Sequence, residues 1–182
     1  MKLFLAIEVP QSAKKKYARQ LQQLHADYAN FHWIDPELYH VTLFFFGEQE
    51  NPDKLISQIE QLVYDLGTKP FHMYGFSADL FMKGKLLMYA NFHKCKPLLD
   101  LVYDMKPTLK LYEDMDVFMP HMTIAHYKIP SKQQYLLIRK KLQQMEFDVD
   151  FPVTELVLYQ STTEGKKLVY TPIHRFPLHN EA

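Results

Sequence analysis

The sequence has little cysteine, glycine or surplus charge: Cys95 is its only cysteine and there are five glycines in 182 residues. With one cysteine, no disulfide can close within the chain. A stapled secreted scaffold is therefore excluded, and a reducing, cytoplasmic setting is expected. Five glycines and eleven prolines leave no collagen-like or linker-like tract. The 21 basic residues balance 21 acidic ones. Proteins that coat long DNA or RNA usually carry a basic surplus; an enzyme that handles one phosphate at a time needs none. Long apolar runs are missing as well. Only five apolar residues lie between Lys2 and Glu8, too few for a signal-peptide core or a bilayer span, so neither targeting nor membrane contact is expected.

What is present is a core. Hydrophobic residues make up 47% and aromatics 14% of the chain, enough to exclude disorder as the main state. The length suits one domain or two small intimate lobes at roughly 150 residues per domain. Leu3, Leu5 and Ile7 alternate with Phe4 and Ala6 in a buried strand that ends at Pro10. Ser12 is placed to cap a helix running through Leu21 and Leu24, with Lys14, Lys15 and Lys16 on its solvated face. Trp33 to Pro36 reads as a short extended piece and a turn, and Leu38 to Phe46 as a strand stopped by Gly47. Asn51-Pro52-Asp53 opens a helix that Gly67 closes. Further strands are expected at 71–80, 86–92, 118–127, 153–160 and 168–176, with helices at 97–109 and 131–145.

The elements repeat. At an offset of 81 residues His40 matches His121, Thr42 matches Thr123, Gly84 matches Gly165, Lys85 matches Lys166, Leu87 matches Leu168 and Tyr89 matches Tyr170. The matched segments run approximately from 31 to 92 and from 112 to 173. Such a duplication would set two equivalent strands about a pseudo-twofold axis, within one domain spanning residues 1–182.

Each of those strands carries a His-x-Thr pair: His40-Val41-Thr42-Leu43 and His121-Met122-Thr123-Ile124. Strand side chains alternate faces, so each histidine shares a face with its threonine while the apolar pair anchors the other. Histidine titrates near neutral pH, so two of them across a cleft can divide acid and base work. Threonine hydroxyls beside them suit phosphate oxygens whose charge grows in the transition state. A single copy of the motif would read as structural; two copies at equivalent places in a repeat favour chemistry. His121 and His126 are five apart, so on an unbroken strand they face opposite sides and cannot share a metal, and none of the other histidines shows metal-binding spacing.

The paired motifs resemble those of the two-histidine (2H) phosphoesterases, and within them the bacterial and archaeal RNA 2′,3′-cyclic phosphodiesterases historically called 2′-5′ RNA ligases. Met1 to Ile7 resembles the family's opening strand. Trp33 to Glu48 resembles its first motif region, Pro120 to Ile124 its second, and Leu158 to Ser161 with Tyr170 to Phe176 its closing hairpin. The resemblance implies an α+β fold of two pseudo-symmetric lobes. Each is an antiparallel sheet with helices on its outer face, and the HxTx strands face across a central cleft. It implies hydrolysis of a 2′,3′-cyclic phosphate at an RNA end or in a cyclic nucleotide, without metal or cofactor. His40 would protonate the departing 3′ oxygen, His121 would activate water, and Thr42 and Thr123 would hold phosphate oxygens.

Two positions depart from the family pattern. Relatives often carry arginine four residues after the first histidine, where this chain has Phe44, expected on the face of His40 as a base-stacking or core residue. Many carry arginine five residues after the second, where this chain has His126. Arg175 or Lys128 is then expected to supply the missing cation to the substrate. A related enzyme acting on another cyclic phosphate or a 2′-5′ linkage, or a binding module for phosphorylated ends, fits the same motifs. No feature calls for an obligate protein partner, and a monomer is expected.

Overall fold

Leu3, Leu5 and Ile7 join the main hydrophobic core, whereas Phe4 and Ala6 form a second cluster with Val157 and Tyr159. Strand β1 (Lys2–Glu8) is therefore buried on both faces, as its continuous apolar run requires. The computed structural model describes residues 1–109 and 117–179; the start of the second matched segment, 112–116, lies outside them.

After β1 the chain forms α1 (Gln11–Gln20), α2 (Gln22–Asp27), β2 (His32–Trp33), a 3-10 turn (Pro36–Leu38), β3 (His40–Glu48) and α3 (Pro52–Leu66). Then follow β4 (Phe71–Met82), β5 (Leu86–Phe92), α4 (Lys96–Leu109), β6 (His121–Tyr127), α5 (Lys132–Gln143), β7 (Val149–Val153), β8 (Glu155–Glu164) and β9 (Lys167–Pro177). The strands make two antiparallel sheets, one in the order β3-β1-β8-β9 and the other β2-β6-β5-β4-β7. The expected α+β architecture is thus present. Each HxTx strand lies in the sheet that holds the other segment's hairpin: β3 with β8–β9, and β6 with β4–β5.

Local chemistry explains most boundaries. Asn51 caps α3 by accepting from the Asp53 N–H at 3.1 Å, and Gly67 ends it with φ +55°, a conformation that costs a side chain dearly. Ser131 caps α5 through the Gln134 N–H. Ser12 does not cap α1: the helix starts at Gln11, two residues earlier than a Ser12 cap would set it, behind Pro10, and no side chain caps it. Nor is that helix continuous, since it breaks at Leu21 into α1 and α2. Strand β7 is unexpected from the sequence. Pro152 argues against a central strand, but β7 is an edge strand, where a missing N–H is tolerated. Lys14 departs from the solvated face expected for it: it is buried at 6% exposure, and its Nζ donates to the Glu37 carbonyl at 2.8 Å.

Helix α1 packs on β7, α5 on β4, and α3 on β9 and α4. One approach is unusually close. A Cβ on Gly75 would lie 1.8 Å from the Tyr17 hydroxyl, so only glycine lets α1 sit this near β4. Among the described residues no helix is long and apolar enough to cross a membrane.

Candidate active site

Both motif strands are built alike from the backbone up. Val41, Leu43, Met122 and Ile124 are buried, as the alternation requires. His40, Thr42, His121 and Thr123 line one cleft of about 1260 Å³ between the sheets. Alternation then fails in both strands at the same place. Opposite β1, Ala6 pairs with Thr42 but Leu5 with Phe44, leaving Leu43 as an extra residue. Opposite β5, Tyr89 pairs with Thr123 but Met88 with Ala125, leaving Ile124 extra. These are β-bulges, which re-aim the side chains that follow them.

The bulges revise two expected positions. Phe44 is not on the face of His40. It pairs with Leu5, joins the main core at 6% exposure, and only borders the cleft. Phe45 takes the cleft face instead, 66% exposed, with its ring 5.9 Å from Phe4. His126 is carried to the same cleft as His121, contrary to the reading for an unbroken strand. Lys128 also lines the cleft, with its ammonium 5.8 Å from the centre of the Tyr127 ring. Arg175 is not brought there. Its guanidinium is held by Glu8 at 2.9 Å and by Glu155, and it is absent from the cleft wall.

The two histidines are oriented by matching bonds. His40 Nδ1 donates to the carbonyl of Leu38 at 2.7 Å, and His121 Nδ1 to that of Met119 at 2.9 Å. Each acceptor lies two residues upstream of its histidine. In this tautomer each Nε2 is left to the cleft, and at His40 it lies 3.0 Å from the Thr42 hydroxyl. Aromatic rings hold His40 from two sides, Phe4 at 5.1 Å and Tyr170 at 5.2 Å. Tyr89 stands similarly against His121 at 5.7 Å.

Burial pushes the His40 imidazole below its ordinary value. The Leu38 carbonyl opposes this, and the nearby charges of His121 and Lys14 reinforce it. His126 is also lowered, by burial and then by Lys85 and His32. At Glu8, burial works upward, yet Arg175 and the Tyr159 hydroxyl bring the carboxyl net below its usual range. Among the described residues no three His, Cys, Asp or Glu side chains are grouped to hold a metal ion.

Sequence reasoning assigns no site role to His32, Phe45 or Lys14. Phe45 and His126 reach the cleft only through the bulges. The 81-residue match marks Lys85 and Tyr170, but their roles are not legible from it.

A family model described as the 2′-5′ RNA ligase superfamily matches residues 9–165. The RNA 2′,3′-cyclic phosphodiesterase of Thermotoga maritima is 25% identical over 186 residues, covering 96% of this chain and 94% of that one. The crystal structure of TT0787 of Thermus thermophilus is similar with a TM-score of 0.75 at 21% identity, covering all of both chains. E. coli LigT complexed with 3′-AMP gives a TM-score of 0.76 at 19% identity over 98% of each chain.

Proposed function

Since the chain belongs to the 2′-5′ RNA ligase superfamily of 2H phosphoesterases, we propose that it hydrolyses 2′,3′-cyclic phosphates at RNA ends to 2′-phosphomonoesters. The observation that carries this reading is the matched pair of Nδ1 bonds, to Leu38 and Met119, which leaves two Nε2 atoms for one cleft. The name of the Thermotoga relative supports the substrate class.

In this reading a water attacks phosphorus while His121 Nε2 takes its proton. The bond from phosphorus to the 3′ oxygen breaks, and His40 gives its Nε2 proton to that oxygen. One water is consumed and the 2′ ester remains. Thr42 and Thr123 donate hydroxyl hydrogens to the non-bridging oxygens, where charge grows. His40 must be protonated to act as the acid, and burial disfavours that form in the empty cleft. The anionic phosphodiester supplies the opposite charge, so substrate binding itself prepares the acid. No step requires a metal or a cofactor.

The test is incubation of the purified protein with an RNA oligomer ending in a 2′,3′-cyclic phosphate, alongside a 2′-5′-linked dinucleotide, with product ends identified. A new 2′-phosphate end on the oligomer is expected. Cleavage of the 2′-5′ linkage alone would replace this reading with a related phosphodiesterase. Saturable binding without product would replace it with a binding module for phosphorylated ends.

A further inference from the structure

The chain is neutral, with 21 acidic side chains, yet among the described residues no carboxylate lines the cleft. Its cations are not spread evenly along it. Strands β2 and β6 and the residue that leads into β5 bring His32, His126 and Lys85 to one place. His32 on β2 pairs directly with His126 on β6, and Leu87 of β5 pairs with His126 from the other side. Lys85, two residues before Leu87, lines the cleft beside them. The two imidazoles lie nearly parallel, at 20°, with centroids 6.4 Å apart. His126 Nδ1 is buried without a hydrogen-bond partner, and Lys85 has no acidic partner among the described residues. Three basic side chains thus line one stretch of cleft wall with no carboxylate beside them, an arrangement that suits an anion.

We propose that His32, Lys85 and His126 form a second anion subsite, which takes an internucleotide phosphodiester of the RNA rather than its cyclic end. The inference rests on the RNA reading above and extends it to substrate length. His121 and His126 pair with Asn91 and Leu87, which lie four steps apart on β5, about 13 Å at the usual rise, so the cluster stands beside the reacting phosphate and not on it. The cleft, at 1260 Å³, also exceeds the roughly 300–1,000 Å³ typical of small-ligand sites, which leaves room for more than a mononucleotide. Lysine binds phosphate as a point charge, and the two imidazoles add N–H donors once an anion favours their protonated forms.

The experiment compares kcat/KM for a 2′,3′-cyclic mononucleotide with that for an oligomer of four to six nucleotides carrying the same cyclic end. The wild-type protein and a His32→Gln, Lys85→Gln variant are measured on both. The wild type is expected to prefer the oligomer, and the variant to lose at least tenfold more on the oligomer than on the mononucleotide. Equal losses on both substrates, or no preference in the wild type, would overturn the subsite. Binding of a labelled oligomer ending in a 2′-phosphate gives a readout independent of turnover. Its salt slope should fall by about 0.7 for each phosphate contact removed. No turnover of any cyclic phosphate would defeat the hydrolytic reading, whereas an unchanged salt slope in the variant would defeat the subsite.

Discussion

The phenol ring of Tyr170 stands at 88° to the imidazole of His40, their centroids 5.2 Å apart. They come from strands that the β3-β1-β8-β9 order separates by two others, about 14 Å at the usual strand spacing. Phe4, on the strand β1 next to β3, touches both rings, its centroid 5.1 Å from His40 and 4.9 Å from Tyr170, so the three form one aromatic cluster. At the matching position Tyr89 stands at 73° to His121.

This packing has a consequence for pH. Tyr170 helps exclude water from His40, and burial is the largest influence holding that imidazole below the ordinary histidine value. Tyr170→Ala is expected to hydrate the ring and raise its pKa toward 6.5. In the wild-type protein a nucleoside 2′-phosphate in the cleft is expected to raise it too, because an anion favours the protonated form. Both shifts are read by NMR titration of the His40 ring. A His40 that titrates above the ordinary value in the empty cleft, or that falls when phosphate binds, would contradict the sign.

His40→Ala and His121→Ala should each cost roughly 10²–10⁴-fold in turnover of the cyclic phosphate, the usual worth of a positioned acid or base. The double variant should be little slower than either single one, because the two act as a unit. Thr42→Ala and Thr123→Ala each remove one hydrogen bond to a charged group, worth roughly 1.5–3 kcal/mol, or about ten- to hundredfold in rate. Steady-state kinetics on one oligomer substrate decides all five. Additive losses in the double histidine variant would mean that the two rings act independently.

Stability offers a separate check on the packing of α1 over β4. The Tyr17 hydroxyl is buried without a partner, and burial pushes its pKa up. Tyr17→Phe should therefore stabilise the fold by about 1 kcal/mol. Gly75→Ala should destabilise it by about 1–3 kcal/mol, since its Cβ would collide with that hydroxyl. Urea unfolding of the two single variants and the double variant measures both, and partial rescue of Gly75→Ala by Tyr17→Phe is expected. A Tyr17→Phe variant less stable than the wild type would mean that the hydroxyl has a partner.

What is legible in the sequence and what is not divide along physical lines. Alternation places Val41, Leu43, Met122 and Ile124 in the core, and the 81-residue spacing pairs His40 with His121, because both signals are local in sequence. Leu43 and Ile124 look like ordinary strand residues, and only the partner strands reveal them as bulges. Simple alternation therefore gives Phe44 the wrong face and hides Phe45 and His126 as cleft neighbours. Arg175 looks available to the substrate because Glu8 and Glu155, which hold it, are brought to it only by strand pairing. Lys14 looks solvated for a similar reason: its acceptor, the Glu37 carbonyl, lies beyond the reach of helix periodicity.

In the proposed mechanism His40 and His121 alone move the protons at a cyclic phosphate. A single-turnover reaction on an RNA oligomer with a 2′,3′-cyclic end, run in ¹⁸O-water with excess EDTA, tests it most directly. The expected result is a 2′-phosphate carrying one ¹⁸O atom, formed at the same rate with and without chelator and roughly 10²–10⁴-fold more slowly in His121→Ala. Turnover that vanishes in EDTA and returns with zinc or magnesium would contradict it, because a metal and not the imidazole pair would then carry the chemistry.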